Sequence, residues 1–296
     1  MTVALITEAD ANPGETEYLA CQLSGQGIKV LRAPGPQITV QDDQVRILVP
    51  FVATHVTAQV MGRLPHLGLI ATRSTGTDHI DIAGAARRGI TIANVPDYGS
   101  VAVAEHAFAL LLTLTRIRPH LAPGTDLSGK TLGVIGTGAI GRHVMQIAHG
   151  FGMNVLAYDL EHRPGIHYGD LDEVLSQADV ITLHIPATPA TRHFISDERL
   201  ATMKPGVILI NTARGSLIDT AALSRALHSG QVSAACGCRL FIRAGQAACR
   251  YSWRVPPSRS CLRTSSCAIR SGSAIGSGSG RRGAAARRVR WGRCSL

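Results

Sequence analysis

Leu127-Ser128-Gly129-Lys130-Thr131-Leu132-Gly133-Val134-Ile135-Gly136-Thr137-Gly138-Ala139-Ile140-Gly141 opens the stretch whose reading decides the fold, and that stretch ends at Asp159. Leu132, Val134 and Ile135 read as a buried parallel strand, and Gly136 to Gly141 follow with G-x-G-x-x-G spacing. The first glycine permits a tight turn, the second lets the backbone approach a pyrophosphate, and the third lets the next helix pack close to the strand. The free N–H groups and positive dipole end of that helix then face phosphate oxygens. A glycine-rich turn has many structural causes, so the context matters. Ile140, Val144, Ile147, Ala148 and Phe151 recur at helical spacing, and Asn154–Tyr158 makes a second strand that runs into Asp159. Asp159 lies 18 residues after Gly141, where a carboxylate can accept from an adenosine ribose 2′-hydroxyl and would repel a 2′-phosphate. That favours NAD over NADP. An ordinary surface turn acid is the competing reading of Asp159.

The chain has 296 residues, of which 45% are hydrophobic, enough for a substantial core and about two domains. Met1 to Ile6 carry no basic leader and soon meet Glu8 and Asp10. The apolar run Ala107–Leu114 is too short to cross a bilayer and is flanked by Glu105-His106 and Arg116. No membrane association is expected, and a cytoplasmic location is the default. The formal charge of +10 invites a nucleic-acid reading, but it is unevenly spread. Before residue 236 acids outnumber Lys+Arg by 20 to 17, whereas residues 236–296 hold 13 arginines and no acid. Six of the seven cysteines lie in that tail and all twelve histidines lie before it, so two compositions meet near Ala235.

In the first third, Val3–Ile6, Ile28–Leu31, Ile47–Val49, Leu67–Ala71 and Ile90–Asn94 read as strands, with helical spacing over Glu15–Leu23, Val52–Arg63 and Asp78–Arg88. This alternation predicts βαβ units and a parallel sheet. The loop Arg73-Ser74-Thr75-Gly76-Thr77-Asp78 follows a strand, where small residues let backbone N–H groups reach a carboxylate. A plain turn with Asp78 as helix N-cap is the equal alternative. From Val101 to about Arg118 one long helix places Val103, Ala107, Leu110, Leu111 and Leu114 on a core-facing side, and Pro119 ends it. Glu105 and His106 on that helix read as structural rather than catalytic. After Asp159 the alternation resumes with strands at Val180–His184 and Val207–Asn211, and helices closing at Met203 and spanning Ala221–His228. The strand ending at Asn211 empties into Thr212-Ala213-Arg214-Gly215. Arg214 there offers a bidentate fork for a substrate carboxylate, unless it is a plain surface arginine.

Taken together, most of residues 45–235 resemble the D-isomer-specific 2-hydroxyacid dehydrogenases, a family that includes D-lactate, glycerate, phosphoglycerate and formate dehydrogenases. The motifs that carry the resemblance are Ser74–Asp81, Asn94–Tyr98, Val103–His106, the glycine loop, His184–Thr188 and Asn211–Gly215. The resemblance implies a doubly wound α/β fold, with a flavodoxin-like substrate domain over 1–98 and a Rossmann NAD domain over 99–235. It implies that Arg214 binds the substrate carboxylate and polarises its carbonyl. Ser74, Thr75 and Gly76 would hold the same carboxylate, and Tyr98 would line the substrate pocket. Gly136, Thr137, Gly138, Ala139, Ile140, Gly141, Asp159, His184, Pro186, Thr212 and Ala213 would line the cofactor. A 2-hydroxy or 2-keto acid close to D-lactate is the implied substrate, a homodimer the expected assembly, and no metal is called for.

The family's acid/base histidine and its supporting glutamate follow the arginine, yet residues 236–296 contain neither residue type. Where the family has an acidic strand end, then Glu-Pro and Pro-His, Cys236-Gly237-Cys238-Arg239-Leu240-Phe241 and arginines stand. Three readings stay open. The tail is a GC-rich gene read out of frame, or a basic arm with Arg281-Arg282 and Arg287-Arg288-Val289-Arg290 as polyanion contacts, or a metal site from Cys236, Cys238, Cys261 and Cys267. The expectation is a poorly ordered tail over 236–296 and an enzyme with impaired catalysis. An NAD-dependent binding or corepressor-like protein without catalysis is the alternative.

Overall fold

Short apolar runs bounded by turn residues become two sheets in the computed structural model, which describes residues 2–8, 13–116, 124–237 and 240–243. The first sheet contains β1 (Val3–Thr7), β2 (Lys29–Ala33), β3 (Val45–Val49), β4 (Leu69–Ala71) and β5 (Thr91–Ala93). Their order is β2-β1-β3-β4-β5, and every pairing is parallel. That is the flavodoxin-like winding. All five residues of β1 are buried, as a central parallel strand requires when both faces are covered. The crossovers are α1 (Pro13–Gly25), α2 (Ala58–Gly62) and α3 (Ile82–Arg87).

Two of these helices are shorter than periodicity suggests. Phe51–Thr54 close a turn instead, and α2 begins only after Thr57, whose side chain accepts from the Val60 N–H. The helix anticipated from Asp78 starts after Asp81, whose carboxylate accepts from Gly84 N at 2.8 Å. The reason is tertiary: Val56 and Ile80 pair as a parallel bridge and Asp81 N donates to Val56 O, so Asp78 and His79 form a turn closed by Ile80 N on Thr77 O and the helix begins only beyond the bridge.

α4 (Ser100–Arg116) leads to the second sheet; its anticipated last residues and Pro119 lie outside the described residues. There follow β6 (Thr131–Ile135), α5 (Ala139–Gly150), β7 (Asn154–Tyr158), α6 (Leu171–Gln177), β8 (Val180–Leu183), α7 (Asp197–Thr202), β9 (Val207–Asn211), α8 (Thr220–Ser229), β10 (Val232–Gly237) and β11 (Leu240–Arg243). The order is β11-β10-β9-β8-β6-β7, parallel except for the β10–β11 pair. Both faces are covered. Ala104, Ala107, Phe108, Leu111 and Leu114 of α4 pack with Val134, Val144, Ala148 and Ala234, while Ile135, Leu156, Leu175, Ile181, Leu209 and Leu223 form the opposite core.

The compositional break at 235 does not coincide with the end of this sheet. Cys236 is buried in β10 and pairs with Ile210 of β9, and β11 adds an antiparallel edge. Small residues, Ala234 to Cys236, fit between the two covering layers whatever the composition beyond them. The remaining tail, including Cys238, Cys261, Cys267 and the arginine pairs named above, lies outside the described residues. Among the described residues no helix is long and apolar enough to cross a membrane.

Candidate functional site

Chain order reverses between β6 and β8 in the second sheet, so the loops leaving those strands flank a crevice of the kind that takes ligands in open α/β sheets. The glycine loop leaves β6. Gly136 has φ +99°, and a Cβ there would stand 2.7 Å from the His184 carbonyl carbon and oxygen, so only glycine fits against the loop leaving β8. At Gly141 a Cβ would collide with the Gly136 carbonyl oxygen, which fixes how closely α5 meets the turn. Gly138 differs. Its φ is −61°, it caps α5 without a side-chain bond, and a Cβ there would meet nothing within 4 Å. The chain itself therefore does not need glycine at 138, whereas a pyrophosphate approaching the exposed N-terminus of α5 does.

Asp159, just past β7, turns one carboxylate oxygen inward. Its Oδ2 accepts from Thr137 N at 2.6 Å and Thr137 Oγ1 at 2.8 Å, while Oδ1 accepts from Glu161 N at 3.3 Å. Because the Thr137 hydroxyl proton goes to a carboxylate, the Tyr168 hydroxyl donates to Thr137 Oγ1 at 2.9 Å and accepts from Arg163 N at 3.1 Å. Burial pushes the Asp159 carboxyl up, but the bonds from Thr137, Glu161 and Leu160 outweigh it and hold it below its ordinary value. An ionised Asp159 thus ties the glycine loop to β7 and keeps acceptor capacity on Oδ1. These residues fit a dinucleotide.

His184, at the carboxyl end of β8, contacts Thr182 Oγ1 through Nε2 at 2.9 Å, and burial pushes its pKa down to about 4. Pro186 is exposed, and its carbonyl accepts from Thr191 Oγ1 at 2.7 Å, so the Thr188–Thr191 capping box pins the segment over which a cofactor would lie.

Arg214 follows β9 in a turn braced by Asn211, whose Oδ1 accepts from Ala213 N at 3.0 Å and whose Nδ2 donates to Arg214 O at 2.8 Å. Thr212 is buried in the same turn. The Arg214 fork is not free, as sequence reasoning had it: Nε and Nη2 each donate to Asp78 at 2.8 Å. Asp78 is accordingly not the helix cap. Burial raises its pKa, but the Arg214 hydrogen bonds and charge prevail, and it stays below its ordinary value. A spacing of 136 residues hides this pair from any local reading.

The loop that Arg214 meets is internally wired. Ser74 Oγ donates to Gly76 O at 2.7 Å, so it accepts from Thr72 Oγ1 at 2.8 Å, and Thr72 in turn accepts from His79 Nε2 at 3.0 Å. Ser74 and His79 are therefore buried framework, with 3% and 4% exposure, and burial pushes the His79 pKa down. Thr75 is held by Asn94 Nδ2 on its carbonyl and donates its hydroxyl to Val95 O, both at 2.8 Å. Gly76 carries the Arg214 guanidinium: a Cβ would stand 2.8 Å from Nη2. Tyr98 is 64% exposed and follows Asp97, which sits at φ +54°. Glu105 on α4 is exposed and His106 half-buried.

Residues 104–237 match the model of the D-isomer specific 2-hydroxyacid dehydrogenase, NAD binding domain. The chain is 40% identical over 213 residues to a 2-hydroxyacid dehydrogenase homolog of Haemophilus influenzae, covering 65% of this chain and 64% of that protein. It is 42% identical over 197 residues to glycerate dehydrogenase of Methylorubrum extorquens, covering 60% and 62%. The match thus spans a little under two thirds of each of those relatives. Among solved structures, D-lactate dehydrogenase from Aquifex aeolicus, complexed with NAD and lactic acid, superposes with a TM-score of 0.73 at 36% identity, over 79% of this chain and 76% of that one. With the two-sheet fold, the glycine loop and Arg214 facing the Ser74–Gly76 loop, these likenesses establish that the chain belongs to the D-isomer specific 2-hydroxyacid dehydrogenase family.

Proposed function

We propose that this chain binds NAD and a small 2-hydroxy or 2-keto acid of the D-lactate kind, and that its scaffold is built for hydride transfer between them. The observation that carries the reading is Arg214 standing against Gly76, which brings a guanidinium to a loop of exposed backbone beside the cofactor crevice. The nicotinamide, when bound, supplies the hydride acceptor or donor. Gly136 to Gly141 would cradle the pyrophosphate, and Oδ1 of Asp159, which accepts a long bond from Glu161 N, would take the ribose. His184, Pro186, Thr212 and Ala213 would line the nicotinamide end. The backbone of Thr75 and Gly76, with Arg214, would hold the substrate carboxylate, Ser74 would brace that loop from within, and Tyr98 would close the pocket. Residues 1–98 act as the substrate domain, residues 99 to about 235 as the cofactor domain, and the assembly is a homodimer.

Catalysis by this chain is slow. A positioned acid/base contributes roughly 10²–10⁴-fold, and no histidine or glutamate follows Ala235. His184, depressed to about 4, is neutral near pH 7 and has no imidazolium proton to serve as the general acid. The same gap favours a second reading, in which the chain senses NAD as a binding or corepressor-like protein. Titration with NADH and NADH oxidation at saturating pyruvate separate these. The expected result is binding with trace turnover, and ready turnover once a shifted frame restores an Asp, a Glu-Pro and a Pro-His after codon 235. Failure to bind NADH overturns the reading; absence of those residues from every frame favours the binding role.

A further inference from the structure

We propose that Asp78 is a positioning residue for the substrate carboxylate, acting through Arg214; this rests on the functional reading above. A guanidinium has five N–H donors. Three are engaged here: Nε and one N–H of Nη2 on Asp78, and one N–H of Nη1 on the Ala213 carbonyl at 3.2 Å. Two remain, one on each terminal nitrogen, which is the pair that can grip a second carboxylate. Asp78 thus consumes one fork and leaves the other.

It also decides where that second fork sits. Arg214 follows β9 of one sheet and Asp78 follows β4 of the other, so the pair spans the junction between the domains. With both carboxylate oxygens bonded, the guanidinium is held with Nη2 against Gly76, in the loop whose backbone N–H groups would meet the substrate. Without Asp78, Arg214 keeps only its neighbour's carbonyl and, at 38% exposure, turns into solvent. A single negative charge beside an incoming anion is unfavourable by itself. It is tolerated because the cation lies closer to each carboxylate than the carboxylates would lie to one another. The Asp81 carboxylate in the same motif is engaged elsewhere, on Gly84 N, so it does not substitute.

The test uses the full chain saturated with NADH and oxamate, an unreactive analogue of a 2-keto acid, with binding followed by calorimetry. Asp78→Ala and the isosteric Asp78→Asn are expected to weaken oxamate about tenfold while leaving NADH affinity within about twofold. In an Arg214→Ala background Asp78→Asn should have no further effect, which a merely stabilising role would not produce. If Asp78→Asn binds oxamate as well as the native chain or better, Asp78 is a competitor for Arg214 and the proposal is overturned. Loss of oxamate in Arg214→Ala with retention in Asp78→Asn overturns Asp78 alone. Oxamate binding unchanged in Arg214→Ala, or absent from the native chain, overturns the functional reading with it.

Discussion

Gly138 and Gly141 belong to one motif yet answer to different constraints. Gly141 is required by the fold, since any Cβ there runs into the Gly136 carbonyl; Gly138 has open space on its Cβ side. Gly138→Val should therefore leave the thermal midpoint almost unchanged and abolish NADH binding, whereas Gly141→Val should unfold the domain. Circular dichroism melts beside calorimetry distinguish the two, and a Gly138→Val protein that still binds NADH would remove the glycine loop from its role. Asp159→Ala should both relax discrimination against NADP and weaken either dinucleotide, because the same carboxylate holds Thr137 N and Oγ1. A variant that gains NADP while losing no NAD affinity would show that Asp159 acts on the ribose alone.

Elements are joined at their ends by a few polar groups and along their faces by close packing. Asp179, just before β8, accepts from Thr131 N of β6 at 2.9 Å and from Lys204 Nζ at 3.0 Å. Burial raises its pKa, but these partners hold it below its ordinary value. Asp179→Ala removes the partner of a strand N–H and should cost about 1–3 kcal/mol in urea unfolding. On the face of β6, a Cβ at Gly133 would stand 2.9 Å from both Ala178 Cβ and Val174 Cγ1, so α6 packs directly on bare backbone. Gly133→Val overpacks this contact, at about 1–3 kcal/mol, and should cost more than the same change at exposed Gly138.

At the scale of the whole molecule, titration sets a pH limit on stability. His184 has its folded pKa lowered from 6.5 to about 4, so below 6.5 the unfolded chain takes up a proton that the folded chain refuses. Stability from this group is complete above 6.5 and is lost as pH falls toward 4. Asp78, Asp159 and Asp179 are lowered from 3.8, so they extend the loss below that value. Urea unfolding from pH 7.5 to 4 should show declining stability, and His184→Gln should flatten the upper part of the decline. A native chain equally stable at 7 and 4.5 would contradict the buried neutral state of His184.

The strands, the Gly136–Asp159 unit and the position of Arg214 beyond a strand end were legible in the sequence because each depends on local periodicity or on glycine's conformational freedom. The start of α3 was not: Asp78 and Asp81 are equally good caps by composition, and the Val56–Ile80 bridge, a contact between distant segments, chooses Asp81. The short helix α6 and the strand β11 carried too few periodic residues to announce themselves, and they form where a sheet face and a sheet edge are available. Likewise Ser74 reads as a substrate contact from its motif, yet the buried line from His79 through Thr72 turns its hydroxyl inward. By itself the sequence determined the two α/β sheets, the family and the dinucleotide loop. Only the tertiary structure decided that the arginine's first fork is spent on Asp78, because a bond between residues 136 apart exists only when two separately wound sheets meet.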